Sequence, residues 1–214
     1  MPKRALIEHR PWLLAGLVCA LAYYFLWNNP IGELWLIALK GASIGALAVY
    51  AWQRGSGADA VLLTLSLVVT ALAAMTVDLY FQIGWLLFAL AWLIASGLFL
   101  RNLMPRSSIN RRVVALVLLV GTPLAAWFLT GAASATIYAC APALMAATGW
   151  SSRFARRHVG AGVVALVLSD LLTFSEGSAF DTGDLPDFLA WPLFYAGLLM
   201  VATGVVQSLR AEDD

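Results

Sequence analysis

Residues 112–131 read RVVALVLLVGTPLAAWFLTG, and beyond the arginine that opens them they carry no charged side chain. A helix crossing a hydrocarbon layer of roughly 30 Å needs about 20 mainly apolar residues, which is what this stretch supplies. Its apolar residues do not alternate with polar ones, so it does not fit a membrane β-strand of about 10 residues. Seven further stretches have the same character: 11–28, 33–52, 59–80, 84–103, 134–150, 158–175 and 187–208. The expected fold is therefore all-α, a polytopic integral membrane protein in which residues 1–214 form a single bundle of about eight transmembrane helices. Composition agrees: with 62% hydrophobic residues, 12% charged residues and a mean hydropathy of +0.84, the chain has too little polar surface to coat a water-soluble globule.

Charge placement orients the bundle. Lys3, Arg4 and Arg10 precede the first span, Arg54 lies between the second and third, and Arg101, Arg106, Arg111 and Arg112 surround the fourth connection. Arg153, Arg156 and Arg157 occupy the sixth connection and Arg210 follows the last span. With eight spans all of these share one side, while Glu176, Asp181, Asp184 and Asp187 gather in the long loop on the other. The positive-inside rule makes the basic side cytoplasmic, together with both termini. The Arg101–Arg112 segment reads as an orientation signal that meets anionic lipid rather than a nucleic-acid site. Eight of the nine tryptophans fall near span ends, where indole prefers the headgroup boundary; Trp92 alone lies well inside. The first apolar run is too long for a signal-peptide core and is kept as a helix. Cys19 and Cys140 sit inside spans as small apolar fillers, with no disulfide and no metal expected.

Three ionisable residues fall within the spans: Lys40, Asp78 and Asp170. Each costs about 2.5 to 3.5 kcal/mol on insertion scales, so each asks for a reason. Counted from the span ends, Lys40 is about 10 Å below the outer boundary, Asp170 somewhat outside the midplane and Asp78 near the outer edge. A Lys–Asp pair that only fixes helix packing would account for two of them. Two carboxyl groups against one ammonium also allow one to stay ionised while the other carries a proton, the division that acid and base roles require.

Other signals point to structure. Gly41-Ala-Ser43-Ile-Gly45 matches the G-x-S-x-G pattern of serine hydrolases but lies within a helix rather than a strand-to-helix elbow, and reads as a stripe of small packing residues. Ser43 stands one turn from Lys40, which leaves a Ser–Lys pair to be tested. His9 and His158 lie near the basic boundary without the clustering a metal site needs. Pro123 and Pro142 are expected to kink their helices. The segment Ser175 to Asp187 is either a lid or a solvated loop. Asp78 followed by Trp85-Leu-Leu-Phe88, and Asp170 followed by Trp191-Pro-Leu-Phe194, form an echo that fits duplication and chance alike.

Taken together, these residues resemble the YhhN-like family, which includes the transmembrane-protein-86 lysoplasmalogenases. Lys40-Gly-Ala is similar to the family's Lys-Pro-Leu, Val77-Asp78-Leu-Tyr to its Gly-Asp-x-x-Leu, and Val167-Leu-Ser169-Asp170-Leu-Leu to its Ser-Asp-x-x-Leu. Trp191-Pro-Leu-Phe-Tyr195 is similar to the aromatic start of its final helix. The chain departs from the pattern at Gly41, at Val77, at Trp92 and Ala95 where the family has His and Tyr, and near Gly197 where it has Gln. The resemblance implies hydrolysis of the vinyl-ether bond of a lysoplasmalogen, giving a fatty aldehyde and a glycerophospho-headgroup, with a lysophospholipid and membrane lipid as partners and no cofactor. Asp78 and Asp170 would be the catalytic carboxyl groups; Lys40, Ser169 and Tyr195 would bind substrate or tune them. The implied location is a bacterial inner (plasma) membrane. A small-molecule or proton-coupled transporter, with Lys40 and the aspartates as coupling groups, is the alternative from another class, and a non-catalytic membrane protein of the same fold is a third.

Overall fold

A computed structural model of the chain describes residues 10–27, 32–105, 108–176 and 185–213. Lys3, Arg4, His9, Arg106, Asp181, Gly183 and Asp184 lie outside the described residues, and with them most of the Ser175–Asp187 segment. Eight α-helices follow one another: α1 (Arg10–Leu26), α2 (Glu33–Arg54), α3 (Gly57–Thr76), α4 (Phe81–Arg101), α5 (Ile109–Thr130), α6 (Ala133–Ser151), α7 (Ala161–Ser175) and α8 (Leu185–Asp213), with a π-helical turn at Arg156–Gly160 leading into α7. Among the described residues there is no strand, only an isolated bridge between Leu103 and Ser152.

Six helical segments are long and apolar enough to cross a membrane, α2, α3, α4, α5, α8 and α7 taken together with the π-helical turn before it; the chain is an integral membrane protein. α1 is apolar but has only 17 residues. α6 fails for another reason: its sequence ASATIYACAPALMAATGWS is uncharged but built from small residues, which score low on hydropathy. Ala135, Ala139, Ala141, Ala143, Ala146, Ala147 and Gly149 are all buried, so α6 is a core helix whose small side chains let neighbours approach closely. α5 is its opposite. Only 11% of its apolar window is buried, and Val113, Leu116, Val117, Val120, Leu124 and Phe128 face outward, as expected of a helix whose solvent is lipid.

The chain forms two compact units, Met1–Ala91 and Trp92–Asp214, dividing within α4. In the first, α2 packs against both α1 and α3; in the second, α5 pairs with α6 and α7 with α8, and α7 also touches α5 and α6. Short connections dictate the α2–α3 and α5–α6 hairpins. α5 stops at Gly131, which adopts the left-handed conformation (φ 63°) and donates its N–H to the Trp127 carbonyl, a helix end that glycine reaches without strain. α7 and α8 cross where two glycines meet: a Cβ on Gly162 would lie 2.8 Å from the Gly197 carbonyl oxygen, and one on Gly197 would lie 2.9 Å from that of Gly162.

Helix edges depart from expectation in one consequential place. α3 ends at Thr76, so Asp78 lies in the turn beyond it rather than within a span reaching residue 80. Val77, Leu79 and Tyr80 prolong the apolar run and hide the end. Cys140 is exposed, not a buried filler, and its Sγ contacts the Thr136 carbonyl at 3.5 Å. Pro123 and Pro142 lie inside continuous helices, as does Pro192. Arg111 is not part of a solvated basic loop: it is buried and donates to the Ser152 carbonyl at 3.1 Å. Arg153 is exposed but reaches back to the buried Asn102, its Nε donating to Asn102 Oδ1 at 2.6 Å.

Candidate functional site

Each unit carries one cluster with chemical content. In the first, Lys40 on α2 donates to both carboxylate oxygens of Asp78 at 2.9 Å, and its ammonium stands 5.4 Å from the centre of the Tyr23 ring. The Asp78 side chain is 36% exposed and that of Lys40 14%, so this is a half-buried ion pair. Local backbone fixes the carboxylate: the N–H groups of Leu79 and Tyr80 both donate to the Thr76 carbonyl, and Gly84 closes against the backbone of Val77, where a Cβ would not fit. Val77 is in regular helical conformation (φ −60°), so the turn does not need the family's glycine there.

The neighbouring Ser43 is no nucleophile. It is fully buried, and its hydroxyl donates to the Lys40 carbonyl of its own helix at 2.7 Å, while the Lys40 ammonium donates to Asp78. Gly41 is a true packing position, because Met75 occupies the space a Cβ would need, whereas Gly45 faces open space and packs nothing.

The second cluster is built around Asp170 on α7. Its Oδ2 is sealed from solvent and has no hydrogen-bond partner among the described residues, an exception that asks for an explanation in any membrane interior. The preceding Ser169 is buried and its hydroxyl donates to the Ala190 carbonyl at 2.8 Å, tying α7 to α8 at this level. Ser169 is thus a positioning residue for the helix pair.

Aromatic rings line the surroundings. Tyr138 on α6 stands within electrostatic reach of Asp170 and meets the edge of Phe174, one turn along from Asp170, at 5.9 Å. Trp92 is 2% exposed and its indole N–H donates to the Tyr138 hydroxyl at 3.3 Å. Phe194 lies 6.3 Å from Trp92 and 6.0 Å from Trp191, and Trp191 stacks on Tyr195 at 6.3 Å. Tyr195 is itself buried. Asp170, Ser169 and Tyr195 therefore share the second unit, while Lys40 and Asp78 share the first.

Tyr138 was not legible as a site residue. A tyrosine in an alanine-rich span has no motif around it; the available signal was a hydroxyl one turn before Pro142, which cannot donate to the Tyr138 carbonyl. Among the described residues no three His, Cys, Asp or Glu side chains gather as a metal ion would require.

The sequence profile of the YhhN family matches residues 35–205. The chain belongs to the YhhN family. The matched segment contains Lys40, Asp78, Trp92, Tyr138, Ser169, Asp170 and Tyr195, and leaves α1 outside. No curated protein and no solved structure matches the chain. Two departures from the YhhN pattern acquire physical reasons. Trp92, which departs from the motif the chain resembles, presents its ring N–H to the Tyr138 hydroxyl on α6. Gly197, near the family's Gln, lies where α8 touches the α7 backbone, and a long polar side chain would force the two helices apart.

Proposed function

We propose that this YhhN-family protein is a membrane-embedded lipid hydrolase of lysoplasmalogenase type, cleaving the vinyl-ether bond of a lysoplasmalogen to a fatty aldehyde and a glycerophospho-headgroup. The observation that carries the reading is the Asp170 carboxyl group, with one oxygen sealed and unpartnered among the described residues and aromatic rings close by. A vinyl ether is activated by protonation at carbon, which needs a positioned acid shielded from bulk water.

In this scheme protonated Asp170 gives its proton to the alkenyl carbon remote from the ether oxygen, leaving an oxocarbenium ion beside the new carboxylate. That negative charge stabilises the cation. Water adds to the cationic carbon and its proton returns to Asp170, forming a hemiacetal. The hemiacetal carbon–oxygen bond to glycerol then breaks, the glycerol oxygen takes the hydroxyl proton, and the aldehyde departs. One water is consumed and the acid is regenerated. The aromatic and aliphatic surroundings suit an alkenyl chain.

Asp78 is proposed as the second catalytic carboxylate, paired with Lys40. With its ammonium bound to both Asp78 oxygens, Lys40 fits charge tuning better than capture of a substrate phosphate. All eight helices are proposed to span a bacterial inner membrane as one domain, with the basic loops and both termini cytoplasmic.

The test is incubation of purified protein with a panel of lysophospholipids, alkenyl and acyl, with mass detection of products. The reading expects aldehyde from alkenyl substrates and no fatty acid from acyl ones. Fatty acid release alone, or no product from any substrate, would overturn it.

A further inference from the structure

Beyond α6 the chain does not run straight into α7. Ser152–Ala155 turns, and Arg156, Arg157 and His158 then stand in succession on the π-helical turn. The His158 and Val159 N–H groups both donate to the Ala155 carbonyl, at 3.0 and 2.8 Å. Two glycines seat this turn. A Cβ on Gly160 would lie 3.1 Å from the Trp150 ring, and one on Gly204 of α8 would lie 2.8 Å from the His158 Cβ. The result is an open groove of about 590 Å³ lined by Trp150, Ala155, Arg156, Arg157 and His158.

Its lining is basic and contains no carboxylate. Arg156 and Arg157 are exposed, and no ion pair is formed by either among the described residues. The buried Arg111 lies within electrostatic reach of Arg156 and adds to the same positive field. An orientation signal requires only basic residues near the membrane. It does not require a concavity, a π turn held by close glycine contacts, or an indole wall beside two unpaired guanidinium groups. Such a combination suits an anion with an apolar attachment: guanidinium groups hold phosphate oxygens bidentately, and indole packs at the headgroup level. Single-turn π segments recur at functional sites, and the volume lies within the range of small-molecule sites.

We infer that this groove binds the phosphate of an anionic lipid headgroup on the basic side of the protein. The site is separate from the Asp170 cluster, and the inference does not rest on the hydrolase reading.

The experiment is native mass spectrometry of the full-length protein in detergent, titrated with dioleoylphosphatidylglycerol, dioleoylphosphatidylcholine or inorganic phosphate. Phosphatidylglycerol should bind at least about tenfold more tightly than phosphatidylcholine. At about 1 kcal/mol per basic residue near a lipid surface, the R156Q/R157Q double variant should lose roughly 30-fold of that affinity, and each single variant roughly fivefold. The single variants carry the test should the double variant fail to insert. R101Q/R112Q removes the same charge outside the groove and should bind within about threefold of the native protein. Displacement of the lipid by millimolar inorganic phosphate would assign the same groove to free phosphate; persistence assigns it to the lipid. Equal affinity for the two lipids, or equal losses from R101Q/R112Q and R156Q/R157Q, would overturn the inference.

Discussion

Replacing Gly162 by Ala tests how the second unit is held together. The added Cβ would lie 2.8 Å from the Gly197 carbonyl oxygen, 3.0 Å from Val201 Cγ2 and 3.1 Å from Met200 Cβ. The nearest of these is backbone and cannot rotate aside, so α7 and α8 must separate by a few tenths of an ångström. Overpacking of this kind costs about 1 to 3 kcal/mol, while Gly→Ala inside a helix gains about 1 kcal/mol from propensity alone. Gly97 on α4 supplies the reference, since a Cβ there has no neighbour within 4 Å and Gly97→Ala collects only the propensity gain. Subtracting the two substitutions cancels propensity and leaves the steric cost. Unfolding in mixed micelles should therefore place Gly162→Ala about 1 to 3 kcal/mol below Gly97→Ala. Equal stability of the two variants, within about 0.5 kcal/mol, would refute a tight crossing.

Reporter fusions after Arg54, Arg156 and Arg210 should all report cytoplasm and one at Gly183 the outside; an outward signal at any of the first three removes the eight-span orientation. Asp78→Asn should lower aldehyde release about 10²-fold or more, whereas Lys40→Met should chiefly shift the pH profile of the reaction. Neither change should cost more than about 1 kcal/mol of stability, because the pair is half-exposed; a larger loss by denaturant titration would mark it as structural. Tyr138→Phe removes the acceptor of the Trp92 indole N–H and should cost about 1 kcal/mol in the same titration, with an unchanged value counting against that hydrogen bond.

Hydropathy located the helices because lipid demands long apolar runs, and most edges came out within a few residues, although α8 runs on to Asp213 rather than ending at 208. It misjudged α3, whose end is followed by Val77, Leu79 and Tyr80, residues as apolar as the helix itself. It could not tell that α6 is interior and α5 peripheral, since both are uncharged through their middles and only the contrast of alanine with valine and leucine separates them. Lys40, Asp78 and Asp170 were legible as ionisable exceptions within apolar runs. Which aspartate pairs with Lys40 was not, because all three were read into the outer half of the bundle and depth fixes no azimuth. Arg111 was masked by the charge run around it. The groove at Arg156 was beyond reach for a related reason: a basic loop and a basic concavity have the same composition, and only Gly160 and Gly204, remote in sequence, separate the two.

Aldehyde release from an alkenyl lysophospholipid by the native protein and by Asp170→Asn tests the central claim most directly. Asparagine keeps the size of the side chain and removes the acid, so α7 and the Ser169–Ala190 hydrogen bond should be preserved. The native protein should release aldehyde, and the variant, inserted and folded with native stability, should lose about 10²-fold or more while still binding substrate. A folded Asp170→Asn protein that hydrolyses the vinyl ether at near the native rate would contradict the account.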